Sequence, residues 1–300
     1  MTSTAGARRA ARAATLLSAI LRQTDNANVK RVWFAAAAIF AAPMWVGGQQ
    51  QTPNPRAGFP CGARLDPSYF RVAEGSGGHL LLLAPEEIGD SAALLTAFGD
   101  HPQTIFRLAG SMNPGLHEFN VPIDSTVDSV LFSISVQCLQ TADVVRPSGA
   151  LAIGDDVTDL PNFRAQHMVI VRRPEPGVWT LRLAGSGISG LVVQARSGIG
   201  ISRPEFTSAA DTAFSAVPSA GIQNTLRLRM SGRASGLRVS LVSGQFMVLA
   251  ELPLTAGETD GSYVSQFTPN TEAFRVLVTG NDAAGFAFQR MSAPLVNPKR

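Results

Sequence analysis

Four histidines, two cysteines and a group of acids are the side chains of this 300-residue chain whose types could catalyse or hold a metal. The histidines are His79, His101, His117 and His167. No two of them are spaced i, i+4, and none lies near a cysteine, so the spacing of a zinc site is missing. A serine nucleophile would need a histidine and an acid converging on it, and no nucleophile elbow is present. No catalytic residue is therefore assigned. Asp155, Asp156 and Asp159, with Asn162, fall in one polar stretch, GDDVTDLPN. Oxygen-rich loops hold calcium, which takes six or more oxygen ligands. This spacing fits no calcium loop, and a solvated acidic loop is the plainer reading. The run Gly185-Ser186-Gly187-Ile188-Ser189-Gly190 matches G-x-G-x-x-G literally. A dinucleotide site needs a helix after that motif, whereas Leu191–Ala195 is strand-like, so a turn is expected and no cofactor. Trp179, Phe274, Phe286 and Phe288 fit core positions on strands better than a sugar-stacking platform.

The two cysteines, Cys61 and Cys138, are 77 residues apart. In an oxidising compartment they can pair, and closing that loop would stabilise by about 4.5 kcal/mol on chain-entropy grounds. A free buried thiol at Cys138, on an apolar strand, is the competing reading. Spacing alone does not decide between them.

Charge separates along the chain. Six of the 25 basic groups and one of the 22 acids lie in residues 1–48, which leaves 19 basic and 21 acidic groups beyond. Nucleic-acid binding needs clustered Lys and Arg, yet Lys299 is the one lysine after residue 48, so no nucleic-acid partner is expected. Val32–Val46 (VWFAAAAIFAAPMWV) is a 15-residue apolar run that follows Lys30-Arg31 and precedes Gly47-Gly48-Gln49. That order is a signal peptide's. The run is short for a spanning helix, which takes about 20 apolar residues, although an uncleaved anchor is the alternative. A membrane is a partner only in that case.

The rest of the chain shows what must carry any site. At 45% hydrophobic and 16% charged, it has the material for packed cores. Residues 49–64 read as a linker, rich in Gln and Pro through Pro60. Asp66 is placed to cap a short helix with Pro67 at its first position. His79–Ala84 (HLLLLA) reads as a strand buried on both faces, and Asp90 as the cap of a second helix over Ser91–Phe98. From residue 103 the apolar period becomes two. Trp179, Leu181 and Leu183 oppose Thr180 and Arg182; Leu226, Leu228 and Met230 oppose Arg227 and Arg229; Phe274, Val276 and Val278 repeat the pattern. Turn signals fall at Asn113-Pro114-Gly115, Pro147-Ser148-Gly149, Pro174–Gly177, Ser243-Gly244 and Gly280-Asn281-Asp282. The expectation is a mainly β protein: two β-sandwich domains of the immunoglobulin or fibronectin type, residues 101–205 and 206–300, preceded by an αβ piece at 65–100.

These residues carry a resemblance. Tyr69–Leu83 (YFRVAEGSGGHLLLL) resembles the last helix-turn-strand of von Willebrand factor A domains. Phe119–Ser135, Arg146–Gly149 and Pro176–Leu181 resemble the β-sandwich that follows that domain in hemicentin-like proteins. Phe274–Asp282, Gly285 and Phe288–Arg290 are similar to their next sandwich module. The A domain would be truncated here: its D-x-S-x-S metal motif occurs nowhere in the chain, so no metal and no metal-dependent adhesion carry over. The strand His79–Leu83 then lacks its parent sheet, and docking on the first sandwich is expected, with Tyr69, Phe70, Leu94, Leu95 and Phe98 as cover.

The resulting expectation is an exported, non-enzymatic binding or scaffold protein of the cell envelope, periplasm or exterior. The resemblance implies a link to adhesion. Its partner is a protein or a glycan. The competing readings are a carbohydrate-binding accessory module and a hydrolase with an unrecognised site, for which a pocket joining a serine or acid to His101, His117 or His167 would speak.

Overall fold

The computed structural model describes residues 38–40, 61 and 65–299, apart from 161, 162, 210 and 212. The expected signal segment and linker lie outside the described residues, save for these few positions. Ala38–Phe40 (β1) pairs in parallel with Leu80–Leu82 (β2).

The αβ piece forms as its capping residues dictate. Helix α1, Pro67–Ser76, starts where Asp66 Oδ1 accepts from the Ser68 N–H at 2.8 Å, with Pro67 at its first position. It ends at Gly77, whose φ of 75° suits glycine; a Cβ there would also lie 2.9 Å from Ala293. A 3-10 turn, Pro85–Asp90, leads into α2, Ser91–Gly99. Asp90 does not cap α2 as expected: its side chain makes no capping bond, because it is the last residue of the preceding turn.

Most of the remaining chain is strand. The first sheet holds β3 (Gln103–Ile123), β4 (Val127–Val136), β5 (Thr141–Val145), β6 (Val157–Asp159), β7 (Gln166–Arg172) and β8 (Gly177–Ser197), in the order β3-β8-β4-β7-β6 with β5 also on β8. The two 21-residue strands β3 and β8 pair along nearly their whole length. β8 changes its other neighbour midway: Thr180–Ala184 pairs with β5, and Ser189–Ser197 with β4. The sheet therefore doubles back on itself, and strands that bend between layers do so at bulges. One register shift falls between Met112 and Gly115. Asn113-Pro114-Gly115 is thus a bulge inside β3, not a turn between strands. Facing it, Gly185–Gly190 is likewise not a turn but the bend of β8, where a Cβ on Gly185 would meet Cys138 O at 2.9 Å and Gly187 takes φ 89°.

The core fills the space between the two layers. Phe132 from one stacks near Trp179 from the other, ring centroids 5.4 Å apart, and Ile105, Ile134, Leu181, Leu183 and Val193 are fully buried with them. β4 is buried on both faces. Its Val130, Phe132, Ile134 and Val136 enter this core, while Leu131 meets Leu81, Leu83, Leu94, Ala97 and Phe98 of the αβ piece. The strand β2 therefore docks on the outside of the β4–β7 sheet, and each fully buried leucine there is worth about 1.5–3 kcal/mol. Leu94 and Phe98 cover it; Leu95 and Tyr69, expected to do so, are 40% and 43% exposed.

The second core lies between two further sheets. One has the order β10-β11-β15-β14: Glu205–Ser208, Asn224–Ser231, Ser262–Phe267 and Thr255–Ala256, with β9 (Gly200–Ile201) also on β11. The other has the order β13-β12-β16-β17: Val248–Leu252, Ala234–Val242, Arg275–Asp282 and Ala287–Met291. Leu226, Leu228 and Phe267 of one face Val239, Val276, Val278 and Phe288 of the other. Phe274 meets Phe206 and Phe267 edge to face at 6.0 and 5.9 Å, the arrangement ring quadrupoles favour. Gly280-Asn281-Asp282 belongs to β16, and the turn falls one step later, closed by the Gly285 N–H donating to Asp282 O. Phe286 rides on that turn, exposed, rather than in the core.

Candidate functional site

The polar groups that this fold holds most firmly are three buried arginines. Arg107 on β3, Arg275 on β16 and Arg290 on β17 are 2%, 0% and 0% exposed. A buried charge survives only when paired and hydrogen-bonded. Glu74, on the last turn of α1, supplies the pair for two of them. Its Oε1 accepts from Arg107 Nε at 3.0 Å and Nη2 at 2.7 Å, and its Oε2 accepts from Arg275 Nη2. Burial pushes the Glu74 carboxyl up, but the two guanidinium groups outweigh burial and hold it below the ordinary range. Arg107 also donates to the carbonyls of Gly77 and Gly78, and Arg275 to Ala293 O. One carboxylate thus ties α1 to the sheets of both cores.

A second clamp lies beside it. Arg290 Nη2 donates to Asp124 Oδ2 at 2.7 Å and to Ser197 Oγ, and its Nε donates to Ile199 O. Asp124 accepts from Thr126 through Oδ1. Asp282 Oδ2 accepts from the Ser125 N–H at 2.8 Å and hydroxyl at 2.7 Å, and Gln289 donates to Ile105 O. The β3–β4 corner is therefore gripped by β16 and β17.

Among the described residues an open groove of about 490 Å³ lies on the outer face of the β10-β11-β15-β14 sheet. Arg227 and Arg229 alternate outward from β11 and line it with Phe214, Val264, Glu258 and Thr259, so both signs of charge border the groove. Arg227 lies 3.7 Å over the Phe214 ring and gives Nε and Nη2 to Glu205 Oε2 at 3.0 and 2.7 Å. Its charge is committed. The Arg229 side chain makes no ion pair among the described residues.

The residues singled out in the sequence are not brought to one place. Cys61 and Cys138 form a disulfide, Cα atoms 5.2 Å apart, and Cys138 is also hydrogen-bonded to Ser186 at the bend of β8. Asp156 accepts from Arg146 Nη2 at 2.9 Å, which holds its carboxyl below the usual range. Among the described residues no three His, Cys, Asp or Glu side chains come together as a metal cluster, Asp155, Asp156 and Asp159 included. His79 is buried and stacked on Phe98 at 3.5 Å, and burial, then the nearby Arg107 charge, lowers its pKa to about 3. His101 does meet a serine: its Nε2 is 3.0 Å from Ser129 Oγ. Its Nδ1, at 2.6 Å from Ala97 O, faces a carbonyl where a triad has a carboxylate. The groove does not reach this pair. His117 bonds its own strand at Asn113 O, and His167 lies on β7.

No family model matches the chain. Hemicentin-1 of Mus musculus is 24% identical over 238 residues, 75% of this chain and 4% of that protein. Hemicentin-1 of Homo sapiens is 23% identical, with the same coverage of each. The chain is distantly similar to a small stretch of hemicentin-1. That similarity and the disulfide point to an extracellular location. Among the described residues no helix is long and apolar enough to cross a membrane. Of the solved structures, a Bacillus licheniformis lipase in its propeptide form is 12% identical, covering 63% of this chain and 40% of that one, with a TM-score of 0.30. Bifidobacterium dentium β-glucuronidase in complex with coumarin-3-O-glucuronide is 10% identical, covers 59% and 38%, and has a TM-score of 0.22. Scores that low carry no argument about fold or chemistry.

Glu74, Arg107, Asp124, Arg275 and Arg290 were missed by the sequence reading. Arg290 shares the phase of Phe288 on its strand, whereas Arg275 alternates with Phe274, Val276 and Val278 and reads as a solvated side chain. A charge in phase with an apolar residue was the available signal for Arg290 alone.

Proposed function

We propose that this chain is an exported, non-enzymatic binding or scaffold protein that presents surfaces on a rigid support, with a link to adhesion by its similarity to hemicentin-1. The observation that carries this reading is the Glu74 carboxylate held between Arg107 and Arg275. A buried charge fits only one docking of its neighbours, so it fixes how the αβ piece and the two cores meet. The disulfide adds a covalent tie of Cys61 to the first core.

Two finer points belong to the same reading. Residues 206–300 are taken as an immunoglobulin- or fibronectin-like sandwich, supported by the sheet orders β10-β11-β15-β14 and β13-β12-β16-β17, which follow the A-B-E-D and C′-C-F-G pattern. Residues 65–100 are taken as the end of a truncated von Willebrand factor A domain, supported by the helix-turn-strand from α1 to β2. A glycan-binding role is the second reading, favoured by the groove beside Arg229.

The test is made on envelope and culture fractions. N-terminal sequencing by mass spectrometry should find chain beginning near Gln49, and cross-linking there should capture an envelope component. Recovery of full-length chain from the cytosol alone defeats the proposal.

A further inference from the structure

The strand β2 is half of a two-stranded sheet whose other half, β1, comes from the apolar run Val32–Val46. The two run in parallel, with Ala38 opposite Leu80, Ile39 opposite Leu81 and Phe40 opposite Leu82. Among the described residues β2 has no other strand partner. Its side chains are already engaged: Leu81 lies in the core with Leu83, Leu94 and Leu131, and the Leu82 N–H donates to Ser135 Oγ at 3.3 Å. What β1 takes is the remaining backbone edge. On the export reading, cleavage near Gln49 removes residues 38–40. The processed chain then keeps a strand edge without its partner, and unpaired edge N–H and C=O groups are a template for another strand.

The surroundings of that edge are apolar and fixed. Helix α1 lies against both β1 and β2. Between α1, β2 and the bend of β8 runs a narrow recess lined by Leu65, Tyr69, Phe70, Leu80, Leu82 and Ile188. Asp66 borders it too, with its Oδ1 taken by the Ser68 N–H at the start of α1. The Gln137 N–H donates to Ile188 O at 2.8 Å, and the neighbouring Cys138 is joined to Cys61, just upstream of Leu65. Walls that need no ordering leave more of the contact energy for what binds. Tyr69 and Val72, one turn apart on α1, carry the apolar surface outward and are 43% and 57% exposed. An extended backbone satisfies the edge, and uncharged apolar side chains suit the recess.

We propose that the β2 edge of the processed chain takes an apolar, extended segment of a partner protein as a parallel strand, in the place that Ala38–Phe40 fill here. The proposal rests on the export reading above and names the partner's chemistry. The observation behind it is that a run of this kind already sits on the edge. Adding a strand to an exposed edge is a recurring mode of peptide recognition, in which main-chain bonds give affinity and side-chain pockets give selectivity. A tethered segment outcompetes a free one through its effective concentration. The unprocessed chain is therefore closed by its own strand, and cleavage opens it.

The full chain tests it, by fluorescence anisotropy with a labelled peptide that repeats residues 36–42 between two serines. Ile39→Pro removes a ladder N–H and frees the edge; Ile39→Asp frees it without proline. Both variants should bind the peptide at least about tenfold more tightly than the parent, whose own segment competes. The same peptide N-methylated at its isoleucine and phenylalanine should not bind, because it lacks the donors a strand needs. Tyr69→Ala added to Ile39→Pro should weaken binding about tenfold, through the loss of one aromatic contact. The proposal is overturned if neither open variant binds, if the parent binds equally, if the N-methylated peptide binds as well, or if Tyr69→Ala leaves affinity intact. Dimerisation of the open variants without peptide binding assigns the edge to a second copy and overturns it too. N-terminal sequencing decides the export reading separately: an uncleaved chain whose open variants bind the peptide faults that reading and not the strand site.

Discussion

Glu74 has two cationic neighbours and almost no water, so its ionised form is worth most in the folded state. Glu74→Gln removes the charge and leaves Arg107 and Arg275 buried against each other. Breaking a buried pair in this way costs about 3–5 kcal/mol, and a fall in the urea midpoint measures it. The pH dependence has a defined sign. The carboxyl is depressed on folding, so its contribution is complete above the unfolded pKa of about 4.3 and is lost as pH falls through the lower folded value. The variant should therefore show a flatter stability curve below pH ~4.5 than the parent. His79 acts over a higher window. Its folded pKa of about 3 lies below the unfolded value of about 6.5. As pH falls from the unfolded value toward the folded one, the unfolded chain gains a proton that the fold excludes, and stability drops. His79 Nδ1 has no hydrogen-bond partner, so His79→Leu should keep the melting temperature at pH 7 and remove part of the loss near pH 5. An equal loss in both proteins would contradict this.

At the scale of elements, many strands and the Asp66 cap were readable because each is local, whereas the Asp90 cap was not. Asp66-Pro67 starts α1, and the alternation at Trp179–Leu183 gives a strand with its indole side inward. What the sequence hid is non-local. Asn113-Pro114-Gly115 and Gly185–Gly190 have turn chemistry, yet they serve as facing bends of one long hairpin, because the partner strand continues past them. The groove was hidden for a related reason. Arg227 and Arg229 read as the solvated side of a strand, and only the turn at Gly257–Ser262 and the distant Phe214 make a recess beside them. The strand β2 offers the sharpest test at this scale. Leu81 is 0% exposed under α2 and against Leu131. Leu81→Asp would bury an unpaired charge there, and we expect a monomer that unfolds at a markedly lower temperature in differential scanning fluorimetry. A variant that keeps its melting temperature but loses a dimer or a partner would mean that β2 is an intermolecular edge.

For the molecule as a whole, the cores at Phe132–Trp179 and Phe206–Phe274 are linked by Arg107, Arg275 and Arg290 rather than by a bare linker. Calorimetry should show one cooperative transition, with equal calorimetric and van't Hoff enthalpies. Glu74→Gln combined with Asp124→Asn should separate it into two. Two transitions in the parent protein would refute the coupling. The long hairpin has a further consequence, in time rather than in space. Ile123 pairs with Gly177, and Gln103 with Ala195, so β3 and β5 have no partner strand until β8 has been made, although β4, β7 and β6 can already pair with one another. Pairings so distant in sequence form slowly. A newly made chain therefore cannot close its first core until β8 has left the ribosome, and that core is the last part of the first half to form.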